Sequence, residues 1–318
     1  MIELINNLLF VGGDYMKRSA KGNILLFMAA IIWGCALVAQ KAGMSHLGPF
    51  GFTAIRCTIG GIVLLPLIWH LDKKKTDEEK EQEAGRKETI IGSVVCGLVL
   101  MTLILFQQFG LPFTTVGKAG FITALYILLT PVMGIFLGKK AGKNLWIGVV
   151  IGLAGMYMLC LYEGASGLTF GDFMMLCAAV AAAAHIHVID HFVKNIDPVK
   201  LSSYQFIVCG LACVIPMFIF EDISMEAIID CAIPILYAGL ISCGLGYTFQ
   251  VIGQTETDPS LASLILSLET VFSLLAGWIF FKEVLSVPEY IGCGLMFIAI
   301  LVSQMPDRKK NGLKLKEK

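Results

Sequence analysis

The sequence predicts an all-α membrane protein with ten transmembrane helices, arranged as two inverted five-helix repeats. Three observations lead to this fold class. Apolar residues make up 57% of the 318 residues and charged residues only 15%, a balance that soluble domains do not show. Ten apolar stretches each reach roughly the 20 residues that a helix needs to cross the hydrocarbon layer. The two halves of the chain also share a weak internal similarity.

The ten stretches follow one another with mostly short connections, so they are expected to form one compact bundle. They cover approximately residues 21–41, 49–71, 89–110, 115–138, 144–163, 170–190, 198–220, 227–250, 258–281 and 287–305.

The positions of lysine and arginine predict the orientation of the bundle. An even number of spans places both termini on one side. With the termini inside, 20 cations fall in inner segments, and only Lys41, Lys118 and Lys282 fall in outer ones. Because cationic segments resist translocation, both termini are predicted to be cytoplasmic, in a multi-pass protein of the plasma membrane.

The chain ends are predicted to lie outside the bundle, as a cytoplasmic segment over residues 1–20 and a basic cytoplasmic tail over 306–318. Residues 1–15 are too short to cross a membrane. They are read either as an interfacial segment or as the product of a mis-set start codon. No cleavable signal is expected, since no small-residue cleavage site follows a short apolar core.

The internal similarity divides the bundle into repeats over residues 21–163 and 164–305. At an offset of 149, Gly22 aligns with Gly171 and Pro49 with Pro198. After the charged loop of residues 72–88 the offset becomes 143, and Gln107 then aligns with Gln250. Each half holds five spans, and this odd number predicts that the second copy is inverted in the bilayer. Inverted repeats are typical of secondary transporters with a site near the midplane that opens to either side.

Arg56 and Glu269 are the clearest ionisable residues inside the predicted spans. A charge at the bilayer centre costs about 2.5 to 3.5 kcal/mol on insertion scales, so it calls for a partner or a water-filled cavity. Glu269 aligns with Tyr126 in the repeat, which places both beside a central cavity. Glu269 is predicted to hold a substrate ammonium or to couple transport to protons; alternatively it pairs with Arg56 or caps a broken helix. The Arg56 guanidinium suits a substrate carboxylate or phosphate, a structural ion pair, or snorkelling to the outer surface.

Uncharged polar and aromatic residues complete the predicted site. Such side chains can recognise an amino acid, a nucleoside-like ring or an organic cation by stacking and cation–π contact, although most aromatic residues of membrane helices serve packing. The predicted substrate-binding residues are Arg56, Gln107, Tyr126, Tyr247, Gln250 and Trp33, with Glu269 as the coupling residue.

One histidine cluster supports an alternative reading. His187 and His191 share a helix face, with Asp190 beside them, whereas His185 points elsewhere. These residues permit a membrane-embedded metalloenzyme built on His185, His187 and His191, but polar residues are ordinary where a span reaches the headgroups.

The ten cysteines lie singly in apolar runs and read as small core residues. No metal or other cofactor is therefore expected.

Several short segments resemble the EamA group of the drug/metabolite transporter superfamily. The resemblance spans residues 17–305 and implies the ten-helix fold and the transport of amino acids or related solutes, commonly by export. Thr270 stands where the ninth helix of that group usually has proline, which removes the usual cause of a kink. The matching segments are Trp33-Gly34, Arg56, residues 121–132, Gly171-Asp172, residues 267–272, Gly277-Trp278 and Lys282-Glu283.

Together these features predict a secondary-active transporter that moves a small polar or amphipathic metabolite by alternating access, and not an enzyme. No GxxxxGK[ST] signature is present, so the energy is expected from protons or a counter-transported solute. The expected partners are the substrate and the lipid bilayer, without nucleic acid, in a monomer or homodimer. An importer of an organic cation or lipid precursor on the same fold is a second alternative.

Overall fold

The structure of the protein is a computed structural model that describes residues 15–76, 85–138, 142–162, 167–257 and 259–305. The leader of residues 1–14 and the basic tail of residues 306–318 lie outside this part of the chain. The same holds for Lys80, Lys139 and Lys140, which contribute to the predicted charge asymmetry.

Within the described residues, ten helical segments are long and apolar enough to cross a membrane, which confirms the predicted fold class. They are numbered here as spans 1 to 10 in chain order. Their bounds are Ala20–Gly43, Pro49–Lys74, Arg86–Phe113, Val116–Phe136, Lys143–Cys160, Phe170–Phe192, Pro198–Phe220, Ala232–Glu256, Leu264–Phe281 and Val287–Gln304.

Several helix bounds differ from the sequence-based ones. The first helix already begins at Tyr15. Span 8 begins at residue 232 and not at 227, because Met225–Asp230 forms a separate short helix whose N-terminus is capped by the Ser224 hydroxyl. Span 8 then continues to Glu256, since no proline or glycine interrupts it after Gly253.

The two ends of the bundle are named by the chain termini. The terminal face is the end where span 1 begins and span 10 ends, and the distal face is the opposite end. Large apolar side chains are exposed around the perimeter between the two faces, for example Val150 at 66% and Phe218 at 74%. A bundle that is apolar on its outside is suited to lipid as its solvent.

Small residues set the closest contacts between spans. Gly155 in span 5 faces Gly292 in span 10, where an added Cβ atom on Gly292 would lie 2.6 Å from the Leu159 backbone nitrogen. Spans 2 and 7 approach in the same way at Gly61, where an added Cβ atom would lie 2.8 Å from the Ser203 carbonyl oxygen. Such contacts let membrane helices pack backbone to backbone.

Candidate functional site

Spans 4 and 9 are both interrupted near their middle. Span 4 consists of the helices Val116–Thr123 and Tyr126–Phe136. The apolar stretch of span 9 starts at Leu264 inside the helix Pro259–Leu266 and continues after a break in the helix Glu269–Phe281. The two predicted midplane residues, Tyr126 and Glu269, are each the first residue of the second half-helix. Neither half-helix has a side-chain cap at this end.

The hydrogen bonds at the two interruptions match each other. The Leu125 N–H donates to the Ile122 carbonyl, and 143 residues later the Leu268 N–H donates to the Ile265 carbonyl. Ile127 to Ala124 and Thr270 to Ser267 form the next equivalent pair. These bonds span three residues and not the four of a regular helix, which tightens the chain locally.

The interruption in span 9 forms without proline. The Ser267 hydroxyl donates to the Leu264 carbonyl at 2.7 Å, and the Thr270 hydroxyl donates to the Ser267 carbonyl at 2.9 Å. Serine and threonine hydroxyls compete for backbone carbonyls in this way and often bend helices. The missing proline at position 270 removed the usual cause of a kink, and the helix is interrupted here nevertheless, with hydroxyl bonds to the backbone at the break.

Tyr126, Tyr247 and Glu269 lie near one another beside these interruptions. Each belongs to a span and is only half-buried. Polar residues that keep accessible surface inside a span are candidates for lining a central cavity. Glu269 lies close enough to both tyrosines to interact with them electrostatically.

Tyr247 also belongs to an aromatic cluster. Its ring makes an edge contact with Trp33 at 5.3 Å between centroids and with Phe206 at 4.9 Å. The Trp33 indole N–H donates to the Ser242 carbonyl at 3.3 Å, which fixes the orientation of the indole. These contacts join spans 1, 7 and 8 and present apolar ring surface next to the cavity.

Span 8 contains a π-helix over Tyr237–Gly246, and Tyr247 is the first residue after it. The equivalent part of span 3 is a regular α-helix. Long π-helical segments are rare and frequently mark functional sites. Sequence reasoning missed this element, because its apolar residues follow no pattern that separates a π-helix from an α-helix.

Arg56 is a buried cation with no counter-charge among the residues that the structure describes. Its side chain is 4% exposed, which excludes snorkelling, and its nearest aromatic neighbour is Phe52, with the ring centroid 5.8 Å from the guanidinium carbon. Its Nε atom has no hydrogen-bond partner, and no residue in the described part of the chain forms an ion pair with it. Arg56 is close enough to Tyr247 to interact with it electrostatically.

Glu269 likewise has no ion pair or hydrogen bond within the described ranges. The structure therefore does not pair Arg56 with Glu269, which was the structural alternative drawn from the sequence. An unpaired charge at this depth is costly, so both groups need a ligand or water.

The two predicted glutamines are half-buried. Neither Gln107 nor Gln250 is hydrogen-bonded to another part of the described chain. The fully buried amide is instead that of Gln108, whose Nε2 atom donates to the Met44 sulfur at 3.0 Å and whose Oε1 atom has no partner. Adjacent glutamines give no sequence signal that tells which one faces inwards.

An ion network closes the distal face. Lys118 and Asp172, at 1% and 0% exposure, form an ion pair at 2.8 Å, and Glu289 lies 3.9 Å from the same ammonium. Lys41 pairs with Glu283 at 2.6 Å, and Glu283 also accepts from the Val116 N–H. The network connects spans 1, 4, 6 and 10 with the loop after span 9.

Thr114 joins the two pairs of this network. Its hydroxyl donates to Asp172 at 2.5 Å and its carbonyl accepts from Lys41 at 2.6 Å. The network was not predicted, because its residues lie at span ends, where charges are ordinary.

The two halves of span 4 have different surroundings. On the distal side, Val116–Thr123 is buried throughout and packs against spans 1, 6 and 9. On the terminal side, Tyr126–Phe136 packs mainly against spans 5 and 6 and has at most sparse contact with spans 1 and 9. Span 4 thus diverges from spans 1 and 9 towards the terminal face, which widens the space below Tyr126 and Glu269.

The histidines of span 6 have separate partners. His185 contacts the Gln205 side-chain oxygen at 2.9 Å, and His187 contacts the Thr130 carbonyl oxygen at 2.8 Å. His191 packs against the Phe192 ring. In the described part of the chain no group of three or more His, Cys, Asp or Glu residues could hold a metal ion. These contacts give the metalloenzyme alternative no support.

The fold and the site together define a class: a helical membrane protein with two broken helices around an internal polar site, as in secondary transporters. A model of the EamA-like transporter family matches residues 20–161 and again residues 169–305. The chain therefore belongs to the EamA-like transporter family and is a membrane transporter.

Similar proteins bear transporter names. A protein of Archaeoglobus fulgidus called an uncharacterized transporter is 28% identical over 92% of this chain and 88% of its own length. The uncharacterized transporter YoaV of Bacillus subtilis is 27% identical over 87% of this chain and 94% of its own. A solved crystal structure with 20% identity shows the same fold, with a TM-score of 0.62 over 91% of this chain and 97% of that one.

Proposed function

We propose that this transporter is a secondary-active exporter of a small polar or amphipathic metabolite, such as an amino acid or a related compound, that carries both a cationic and an anionic group. One observation carries the proposal: Arg56 and Glu269 are opposite charges inside the spans, and neither has a protein counter-charge in the described part of the chain. A ligand with both charges would satisfy both residues.

The cavity supplies the remaining contacts. Tyr126 stands opposite Glu269 as its repeat equivalent, and the cluster of Trp33, Tyr247 and Phe206 offers ring surface to the apolar part of a ligand. The amides of Gln107 and Gln250, which have no hydrogen-bond partner among the described residues, would bond to polar groups of the ligand. Glu269 is assigned the coupling role, since it can carry a proton when no substrate ammonium is bound.

Alternating access is supported by the matching interruptions of spans 4 and 9. Inverted five-helix repeats would give the protein two equivalent broken helices, one from each half, on which the cavity can open to either side. In this structure the distal face is closed by the ion network and span 4 diverges towards the terminal face. With the termini in the cytoplasm of a plasma-membrane protein, as the excess of inner lysine and arginine favours, the conformation is inward-facing.

The experiment has two steps. Metabolites are first screened for thermal stabilisation of the purified protein, because a ligand that binds only the folded state raises its apparent stability. Transport of the ligand found is then measured in proteoliposomes with and without a pH gradient. Glu269→Gln should abolish gradient-driven transport while leaving folding intact, and Arg56→Lys should weaken affinity for a ligand that carries a carboxylate.

The matched control is Glu226→Gln, since Glu226 is an exposed carboxylate in the short helix before span 8. Gradient-driven transport by Glu269→Gln at the rate of this control would refute the coupling role. An undiminished affinity of Arg56→Lys would remove Arg56 from the binding site.

The aromatic cluster favours one second candidate, an importer of an organic cation. A cation–π site needs a cation and ring faces but no carboxylate-binding arginine. Stabilisation by a quaternary ammonium compound that is unaffected by Arg56→Lys would favour this alternative.

A further inference from the structure

A second cavity lies away from the central site, between spans 3 and 7 at the terminal face. Its volume is about 500 Å³, which is within the usual range of ligand pockets. The residues that line it are Arg86, Thr89, Ile90, Ser93, Val94, Ile196, Asp197, Lys200, Tyr204, Ile207 and Val208. None of them belongs to the site around Glu269.

The residues that line the cavity change from charged to apolar with increasing depth in the membrane. Arg86 is the first residue of span 3 and Lys200 the third of span 7, so their charges lie at the level of the lipid headgroups. Val94 and Val208 lie deeper in the same two spans. From Arg86 to Val94 the helix rises about 12 Å at 1.5 Å per residue. The cavity is therefore basic at its opening and apolar inside. A phospholipid in a leaflet has the same order, with a charged headgroup at the surface and acyl chains inside.

The charge of the mouth is positive. Lys200 pairs with Asp72 at 2.9 Å, and Asp197 pairs with Lys75 at 2.6 Å, so these charges are balanced and Arg86 gives the mouth its positive charge. Arg86 is exposed and makes no ion pair or hydrogen bond within the ranges that the structure describes. The Tyr204 hydroxyl, lower in the cavity, also has no partner among those residues. These two groups are available to an anion.

The apolar wall faces the bilayer. Ile90 is 53% exposed and Val94 40% exposed, on the same side of span 3. A ligand seated here touches lipid along its length, which a water-soluble solute would not tolerate. Basic pockets between helices at this depth are suited to anionic lipid headgroups.

We infer that the cavity between spans 3 and 7 binds an anionic phospholipid, with its phosphate at Arg86 and an acyl chain along Ile90 and Val94. The lipid would bridge two spans that come from different halves of the chain.

The test is native mass spectrometry of the detergent-purified protein with added phosphatidylglycerol, compared with phosphatidylcholine of the same acyl chains. Phosphatidylglycerol should bind more tightly, and Arg86→Gln should weaken its binding about fivefold, the usual effect of one basic residue at a lipid surface. The control is Lys87→Gln, because Lys87 is the exposed neighbouring cation but does not line the cavity. Ser93→Leu, which fills the interior, should weaken binding of the lipid without removing a charge.

Four results would overturn the inference. Equal binding of both lipids would remove the anionic preference. An equal loss in Arg86→Gln and Lys87→Gln would indicate general surface charge. Unchanged binding by Ser93→Leu would place the acyl chain elsewhere. Displacement of the lipid by an equal concentration of soluble glycerol phosphate would show that the cavity takes a free phosphate compound.

Discussion

The ion pair of Lys118 and Asp172 allows a quantitative test of the distal closure. The change Asp172→Asn removes the negative charge. The amide oxygen can replace Oδ2 and accept from the Thr169 N–H, and the amide NH2 can donate to the Thr114 hydroxyl, which donates to Oδ1 in the parent. The perturbation is therefore almost purely electrostatic. It leaves the Lys118 ammonium buried, with Glu289 at 3.9 Å as its remaining carboxylate.

The expected cost follows from burial. Removing one partner of a buried ion pair costs about 3 to 5 kcal/mol, because the other charge stays uncompensated. Since Glu289 compensates part of the charge, we expect a loss near the lower limit, about 3 kcal/mol in the free energy of unfolding. The measurement is chemical unfolding of the purified protein in mixed micelles.

Two variants make this prediction falsifiable. Asp222→Asn is the control, because Asp222 is an exposed carboxylate at the same face with no ion pair among the described residues; it should change stability by less than about 0.5 kcal/mol. Adding Lys118→Met to Asp172→Asn removes the stranded charge and should recover part of the loss. The reasoning fails if Asp172→Asn is as stable as the control, or if the double variant is no more stable than Asp172→Asn alone.

Three further predictions follow from the structure. Gly292→Ala should destabilise the protein by about 1 to 3 kcal/mol, because its methyl group would meet the span 5 backbone; Gly294→Ala, in open space on the same helix, should be neutral in the same melting experiment. Burial alone would raise the pKa of Asp197, but its bonds from Lys75 and from the Lys200 and Val199 N–H groups outweigh this and hold the pKa below its usual value. Asp197→Asn should therefore lower the melting temperature at pH 7, and the difference from the parent should disappear only as the pH falls below about 4. For the orientation, a cysteine at Ser45 should react with an impermeant maleimide in intact cells and one at Lys194 only after permeabilisation; the reverse pattern would overturn the assignment.

Most of the fold could be predicted from the sequence, since span length and apolar composition are local properties. A run of about twenty apolar residues in lipid is stable only as a helix, and the bounds of eight spans agree with the predicted ones within a few residues. The paired interruption of spans 4 and 9 was partly visible, because the repeat aligned Tyr126 with Glu269. The geometry of the interruption could not be predicted, because the sequence does not show whether a serine or threonine hydroxyl bonds to a backbone carbonyl and bends the helix.

Only the charged residues of the candidate site could be predicted from the sequence, because a charge inside an apolar span indicates a functional role. Arg56 and Glu269 stand out in any apolar run, but whether they pair depends on packing between spans 2 and 9, which no local pattern encodes. The same holds for Gln108, whose burial distinguishes it from Gln107, and for the ion network, whose members lie far apart in sequence. The lipid-facing cavity depends on the gap between two spans and leaves no sequence signal.

The π-helix of span 8 makes the two halves of the protein structurally different. Span 3, its counterpart in the other half of the chain, is regularly wound, so the cavity walls that the two halves contribute are not interchangeable. A cavity with two equivalent walls would accept a ligand equally well in two opposite orientations. The π-helix ends at Gly246, directly before the Tyr247 ring that contacts Trp33, so we expect a bound ligand to prefer one of the two orientations.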